Sequence, residues 1–316
     1  MASRDFYMGD ESHGESQEQG NVPVDDVSID GVTDISLENI ESINGLSIEE
    51  QNDHNKIKVT IEDDKTPIVV LFGPPSSGKT MTLIRLARYL REKAFDVYPI
   101  RTFRPAADTH YKKMCDEFNE MVTSVNAAQS TSQISFMLLK VSQKGFPICQ
   151  ILEAPGEHYF NPNDRSVTGN FPRYIDNVKN NNNRKIWLFI VEPDWLDDTD
   201  RLRYSEHIKQ LKKNMRPQDK VIFMFNKVDK TKFVIAPGKV NIRQAIQSVG
   251  YQYKGIFEPF CNQNPITKFF KKYNCEFVPF STGNYHRAID GDIYYEQGPD
   301  EYPRNLWKMI FNFIKG

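Results

Sequence analysis

From Pro67 onward the chain alternates short apolar runs with amphipathic stretches. The runs PIVVLF (67–72), ISFMLLKV (134–141), ICQILE (148–153), IWLFIVE (186–192), KVIFMF (220–225) and EFVPF (276–280) are strand-length and rich in β-branched and aromatic residues, so they predict strands. Helical spacing predicts helices over 79–94, 200–215, 265–273 and 304–314. Strands that are apolar on both faces and separated by helices describe an α/β chain, a mostly parallel sheet with flanking helices. KIKVTIE (56–62) alternates polar with β-branched residues and predicts an edge strand that opens the ordered domain. Upstream, Ile35, Leu37, Ile40, Ile43, Leu46 and Ile48 are scattered among Gly, Ser, Asn, Gln and acid. Burial there cannot offset the entropy of ordering, so residues 1–55 are expected to be a disordered acidic tail before a domain spanning 56–316.

Charge sharpens that division. Residues 1–66 hold 17 acidic and 4 basic residues, a balance of −13 against a whole-chain −2, which leaves +11 for the rest. The two parts should attract each other. The basic excess comes with no RNA-binding aromatic motif and no long basic run, so nucleic acid is unsupported and a solvated basic face is the plainer reading. The tail keeps enough Ile and Leu between Val27 and Glu50 to dock on a protein partner as a short strand or helix, with an inert linker as the equal alternative. No apolar run approaches the roughly 18 to 20 residues of a membrane span, and the acidic opening lacks the marks of a secretory signal. A cytoplasmic protein is expected. Cys115, Cys149, Cys261 and Cys275 form no C-x-x-C pair, which argues against zinc and a disulfide framework.

The first chemistry-bearing stretch is FGPPSSGKT, directly behind the strand PIVVLF. Gly73-Pro-Pro-Ser76-Ser77-Gly78-Lys79-Thr80 fits G-x-x-x-x-G-K-[ST] between a strand and a helix. The glycines allow backbone angles and close approach that a Cβ would forbid, so successive N–H groups can face phosphate oxygens. Lys79 supplies a point charge toward the β- and γ-phosphates. The Thr80 hydroxyl suits Mg²⁺, and the helix N-terminus adds its dipole.

The base is left open by that loop alone. Asn226-Lys227-Val228-Asp229 stands at the carboxyl end of KVIFMF. Guanine offers two N–H donors on one edge, and the Asp229 carboxylate can accept both, whereas adenine offers an acceptor there. Asn226 can tie the loop to the base site while the Lys227 stem covers the ring. On these two motifs, in this order, the chain over about 67–316 resembles the P-loop GTPases of the Ras and translation-factor (TRAFAC) class, nearest to divergent bacterial translation-factor-like domains. The resemblance implies a P-loop NTPase, Ras-like GTPase fold that binds GTP or GDP with Mg²⁺. Its metal loop, D-x-x-G, corresponds to Glu153-Ala154-Pro155-Gly156, with Glu in place of Asp. Either Glu157 or His158 is then expected to position the attacking water, against the plainer readings of a surface acid and a packing histidine. Ser281 and Thr282 follow the sixth strand where the family's last base loop falls. Thr131 is the favoured switch threonine for Mg²⁺, with Thr109 and Thr123 as rivals. Arg101 or Arg104 is an arginine to weigh as a charge neutraliser, more ordinarily a surface group.

These implications make the chain a slow Mg²⁺-dependent GTP hydrolase and switch, with Lys79 and the loop amides stabilising charge. The stretches 95–130, 157–185 and 230–275 exceed a minimal GTPase, as enlarged switch and base-side insertions, and are expected to meet a protein partner together with the acidic tail. Glu153 for Asp and the lack of Gln after Gly156 motivate a rival, a scaffold that binds nucleotide without turnover. An ATP-using P-loop enzyme is a third reading, which requires N-K-V-D to be accidental.

Overall fold

β1 (Ile68–Phe72) is apolar and buried at every position, because it lies inside the sheet with strands on both sides and helices on both faces. The computed structural model describes residues 46–123, 136–159, 171–193, 198–287 and 293–316. β1 pairs in parallel with β4 (Phe146–Glu153) on one side and β5 (Lys185–Val191) on the other. β2 (Asp96–Pro99) and β3 (Met137–Gln143) extend the β4 side with antiparallel pairing. β6 (Lys220–Phe225) extends the β5 side in parallel. Past the small β7–β8 hairpin (Val234–Ala236 and Lys239–Val240), β9 (Glu276–Pro279) completes the order β2-β3-β4-β1-β5-β6-β9. The chain therefore runs to both sides of β1. In such sheets the carboxyl ends at this switch of direction form the natural ligand crevice.

All six long strands expected from the apolar runs are present, within a few residues. β3 and β4 join through Lys144 and Gly145, both at positive φ (50° and 80°), the two-residue turn that matches strand twist. α2 (Lys79–Glu92) buries Leu83, Leu86, Ala87 and Leu90 at helical spacing. α3 (Thr109–Thr123) does the same with Tyr111, Met114, Cys115, Phe118, Met121 and Val122, and packs on α2. The further helices are α4 (Gly156–Tyr159), α5 (Arg173–Asn180), α6 (Asp198–Lys213), α7 (Ile242–Gln252), α8 (Pro265–Phe270) and α9 (Glu301–Lys315). α9 lies beside α2, where the buried Arg85 guanidinium donates to Asp300 at 2.6 Å and to the Gly298 carbonyl at 2.9 Å.

Two expectations change. Lys56 closes a 3-10 turn (His54–Lys56), and Ile57–Glu62 has no strand ladder; it is an extended segment that turns Ile57, Val59 and Ile61 inward and is tied by Thr60 N–H to the Phe103 carbonyl at 2.8 Å. The alternation was real, but the partner is the 3-10 turn Arg101–Phe103. The expected start at residue 56 also falls after α1 (Ile48–Asn52), which opens on a Ser47/Glu50 capping box. Leu46 is in the core, and Glu50 is held 2.6 Å from Arg104. Residues 1–45 lie outside the described residues.

Candidate functional site

Between β1 and α2 the chain makes a turn with two residues in the left-handed region, Ser76 (φ 61°) and Gly78 (φ 83°). Such reversals turn successive N–H groups to one side and make an anion cradle. A side chain on Gly78 would place its Cβ 2.5 Å from Asn226 Nδ2, so close packing as well as φ requires glycine. Lys79 opens α2 and is buried. Its Nζ donates to the carbonyls of Gly73 at 3.1 Å and Pro74 at 3.0 Å, which fixes the ammonium against the loop that precedes it. The fixed charge, the amides and the helix N-terminus are all positive toward one place, the electrostatics a polyphosphate needs.

Glu153 ends β4 beside that loop because β4 and β1 are in register, Leu71 opposite Glu153. It is buried and accepts a short hydrogen bond from the Thr80 hydroxyl on Oε1, while Oε2 has no hydrogen-bond partner. Burial raises its pKa, opposed by the Thr80 hydrogen bond and the Lys79 charge. Gly156 follows at the closest approach in the site: a Cβ there would lie 2.2 Å from the Pro75 nitrogen. The E-A-P-G loop is thereby seated on the phosphate loop itself.

The second loop arrives from β6. Asn226 N–H donates to the Val191 carbonyl at 2.8 Å, and its side-chain Nδ2 donates to the Ser77 carbonyl, also at 2.8 Å. Lys227 takes left-handed backbone (φ 54°), its Nζ 3.2 Å from the Ser76 carbonyl and 2.7 Å from Glu192 Oε1. Asp229 is exposed on the short turn Val228–Lys230. The third loop is brought alongside by β9: Val228 N–H donates to the Phe280 carbonyl at 3.2 Å, and buried Ser281 and Thr282 follow. β10 (Gly283–Arg287) pairs antiparallel with β11 (Ile293–Gln297), on which the Tyr295 hydroxyl donates to the Thr282 carbonyl. A cavity of about 80 Å³ opens among Pro74–Ser77 of the phosphate loop, Ile190, Glu192, Lys227 and Tyr253, far below the roughly 300 Å³ of small ligand clefts.

Other expected residues fall elsewhere. His158 is turned into an aromatic cluster, its ring centroid 4.3 Å from His54 and its Nδ1 2.6 Å from the Tyr174 hydroxyl, with Phe136 edge-on. Burial lowers its pKa to about 3, helped by His54, Lys79 and Arg104. Glu157 lies on α4, one residue past Gly156, and Thr131 is outside the described residues. Thr109 is exposed at the start of α3, and the Thr123 hydroxyl bonds back to the Asn119 carbonyl at 2.8 Å. Arg104 is buried against Glu50, Asp108 and the Lys58 carbonyl, and Arg101 pairs with Asp116 on the surface, so both arginines hold structure. Two contributors were missed in the sequence. Glu192 closes IWLFIVE and pairs Lys227; Tyr204 sets its hydroxyl 3.0 Å from the carbonyls of both Phe72 and Ile190. The place of Glu192, at the end of a strand next to β6, was the available signal.

No family model matches the chain, and no curated protein matches its sequence. Among solved structures it is similar to a nucleolar GTP-binding protein from Plasmodium falciparum, at 13% identity over 82% of this chain and 90% of that one, with a TM-score of 0.38. A dimerization-deficient Toc33 from Arabidopsis thaliana gives 14% identity over 80% and 85%, with a TM-score of 0.40. The GTPase-like domain of Ski7 from S. cerevisiae, bound to GDP and inorganic phosphate, gives 12% over 79% and 51%, with a TM-score of 0.39. Each of these scores is below 0.5, and nothing about this chain is argued from the likeness.

Proposed function

We propose that this chain binds guanine nucleotide, hydrolyses GTP slowly with Mg²⁺ and works as a nucleotide-controlled switch. The observation that carries the reading is the bond from Asn226 Nδ2 to the Ser77 carbonyl, because it couples the N-K-V-D loop to the phosphate loop so that one ligand can span both. Asp229, three residues on and exposed, is free to meet the two N–H donors of guanine. Lys79 and the loop amides hold the β- and γ-phosphates and stabilise charge during transfer. Ser281 and Thr282 bring backbone N–H groups toward the guanine carbonyl.

For Mg²⁺ the donor set fits. Thr80 and Glu153 offer hard oxygens side by side, and Glu153 Oε2 is buried without a partner. Among the described residues no three His, Cys, Asp or Glu gather as a metal cage. Two protein oxygens completed by phosphate and water is the usual arrangement for this ion. Bound there, Mg²⁺ supplies charge neutralisation. Loss of the γ-phosphate would then change loop order, and a protein partner would read the change through the switch regions and the acidic tail. No helix among the described residues is long and apolar enough to cross a membrane.

A scaffold that binds without turnover is the second reading, favoured by Glu153 in place of Asp and by His158 facing its aromatic cluster. The deciding experiment compares thermal stabilisation by GDP or GTP with Mg²⁺ against ATP with Mg²⁺. Guanine nucleotides at a hundredfold excess over Kd should add roughly 2.7 kcal/mol, and ATP almost nothing. Asp229→Asn should weaken guanine nucleotides and favour xanthine nucleotides. Equal stabilisation by ATP overturns the guanine reading, and single-turnover hydrolysis separates enzyme from scaffold.

A further inference from the structure

Between the N-K-V-D loop and the Ser281–Thr282 loop, Cys261 and Tyr273 form an isolated antiparallel bridge that closes the loop between them. The neck is bonded twice more, Asn262 N–H to the Lys272 carbonyl at 3.0 Å and Asn274 N–H to the Phe260 carbonyl at 2.6 Å. It is rooted in the core through buried Phe260 and Cys275, with the Phe260 ring 5.3 Å from that of Phe223. The loop is therefore held as a built projection.

Its tip is α8, started by Asn264, whose Oδ1 accepts from Ile266 N–H at 2.9 Å. Ile266, Phe269 and Phe270 stand at i, i+3 and i+4, the spacing that puts side chains on one helix face. On a helix of a globular domain such a stripe faces the core. Here the three are 72%, 86% and 82% exposed, and the two phenyl rings meet edge to face at 5.4 Å. From Pro259 to Cys275 there is no acidic residue, while Lys268, Lys271 and Lys272 sit within and beside the stripe.

We propose that the loop between Cys261 and Tyr273 docks on an anionic lipid bilayer, with Ile266, Phe269 and Phe270 entering the interface and Lys268 and Lys272 meeting lipid phosphates. The tip projects, with every described residue of 263–266 and 268–272 exposed, and a projecting apolar tip needs no preformed cavity in the headgroup and acyl boundary. Lysines beside an apolar stripe keep their ammonium groups at the headgroups while their stems cover apolar surface. Charge complementarity with anionic lipid follows from Lys268 and Lys272 in a loop with no acid of its own, Lys271 being paired with Glu276 at the start of β9. The attachment is peripheral and independent of the nucleotide reading.

The test is co-sedimentation of the full chain with vesicles of phosphatidylcholine alone or of phosphatidylcholine with phosphatidylserine, at physiological salt. Binding should be at least tenfold stronger to the phosphatidylserine vesicles. A Phe269→Ser/Phe270→Ser double variant should lose at least tenfold, and Lys268→Glu or Lys272→Glu about fivefold or more each. All of these positions are exposed, so the thermal midpoint should stay put. Phe146→Ser, at a 73% exposed aromatic on the β3–β4 hairpin, should change neither. The proposal is overturned if the full chain ignores phosphatidylserine vesicles, if the double variant binds them as the unaltered chain does, or if Phe146→Ser weakens binding equally. Loop variants that leave vesicles alone but lose an acidic protein or a nucleic acid would likewise overturn it.

Discussion

The Asn226 side chain and the Ser77 carbonyl are 149 residues apart in sequence and 2.8 Å apart in space, and both groups are buried. Replacing Asn226 with Ala leaves the Ser77 carbonyl without its donor and frees the two loops from each other. An unsatisfied buried acceptor costs about 1 to 3 kcal/mol. We expect Asn226→Ala to lower the urea midpoint accordingly and to weaken phosphate-side and base-side recognition together, read as loss of affinity for both GDP and inorganic pyrophosphate. Loss of GDP affinity alone would show that the bond serves only the base.

Gly78 and Gly156 meet different obstacles, which makes them a paired test. At Gly78 an added methyl meets the Asn226 amide in a backbone already at φ 83°, whereas at Gly156 it meets the backbone of Pro74 and Pro75. A side-chain amide can swing aside and a loop backbone cannot, so Gly156→Ala should distort the phosphate loop more. The expected order of nucleotide affinity is unaltered chain, then Gly78→Ala, then Gly156→Ala, measured by titration calorimetry. The reverse order would mean that the Glu153–Gly156 loop yields easily.

The Thr80–Glu153 contact sets up a metal test. Removing the carboxylate in Glu153→Ala should abolish the Mg²⁺ dependence of GTP binding, while Glu153→Asp keeps the charge, one methylene shorter, and should retain it. GTP affinity measured with Mg²⁺ and with EDTA gives the comparison. If both variants keep the full Mg²⁺ effect, Glu153 only caps the Thr80 hydroxyl.

How much of this was readable in advance varies by element. β1, β5 and β6 were, because strands buried on both faces leave an uninterrupted apolar run, and G-x-x-x-x-G-K-T and N-K-x-D are local patterns whose spacing is set by the ligand. α3 was not assigned, although Tyr111, Met114, Cys115, Phe118, Met121 and Val122 carry its period in a stretch read as insertion. α1 was lost inside an acidic segment despite its Ser47/Glu50 box, since the buried Arg104 that pairs with Glu50 lies 54 residues away. The direction of His158 depended on Tyr174, Phe136 and His54, three residues scattered over more than a hundred positions. Such choices are made by tertiary contacts and leave no local trace.

His158 gives the last test, in which rate and stability should separate. Its ring sits against Tyr174, Phe136 and His54, with the cations Lys79 and Arg104 near enough to disfavour its protonation, and burial is the largest cause of a pKa near 3. The unfolded chain takes up that proton near pH 6.5 and the folded chain does not. This contribution to stability is therefore complete above about pH 6.5 and lost as pH falls toward 3, about 2 kcal/mol of it by pH 5. His158→Phe keeps a ring in place and removes the titration, so its urea midpoint should fall less between pH 7.5 and pH 5 than that of the unaltered chain. At pH 7.5 the variant should be weaker by roughly 0.5 to 1.5 kcal/mol, the net worth of the lost bond between the imidazole and the Tyr174 hydroxyl. Single-turnover GTP hydrolysis should stay within about twofold, whereas Glu157→Gln should lower it by roughly 10² if that carboxylate aims the water. A hundredfold loss of rate in His158→Phe with an unchanged pH dependence of stability would put the imidazole on the water and return the catalytic role to His158.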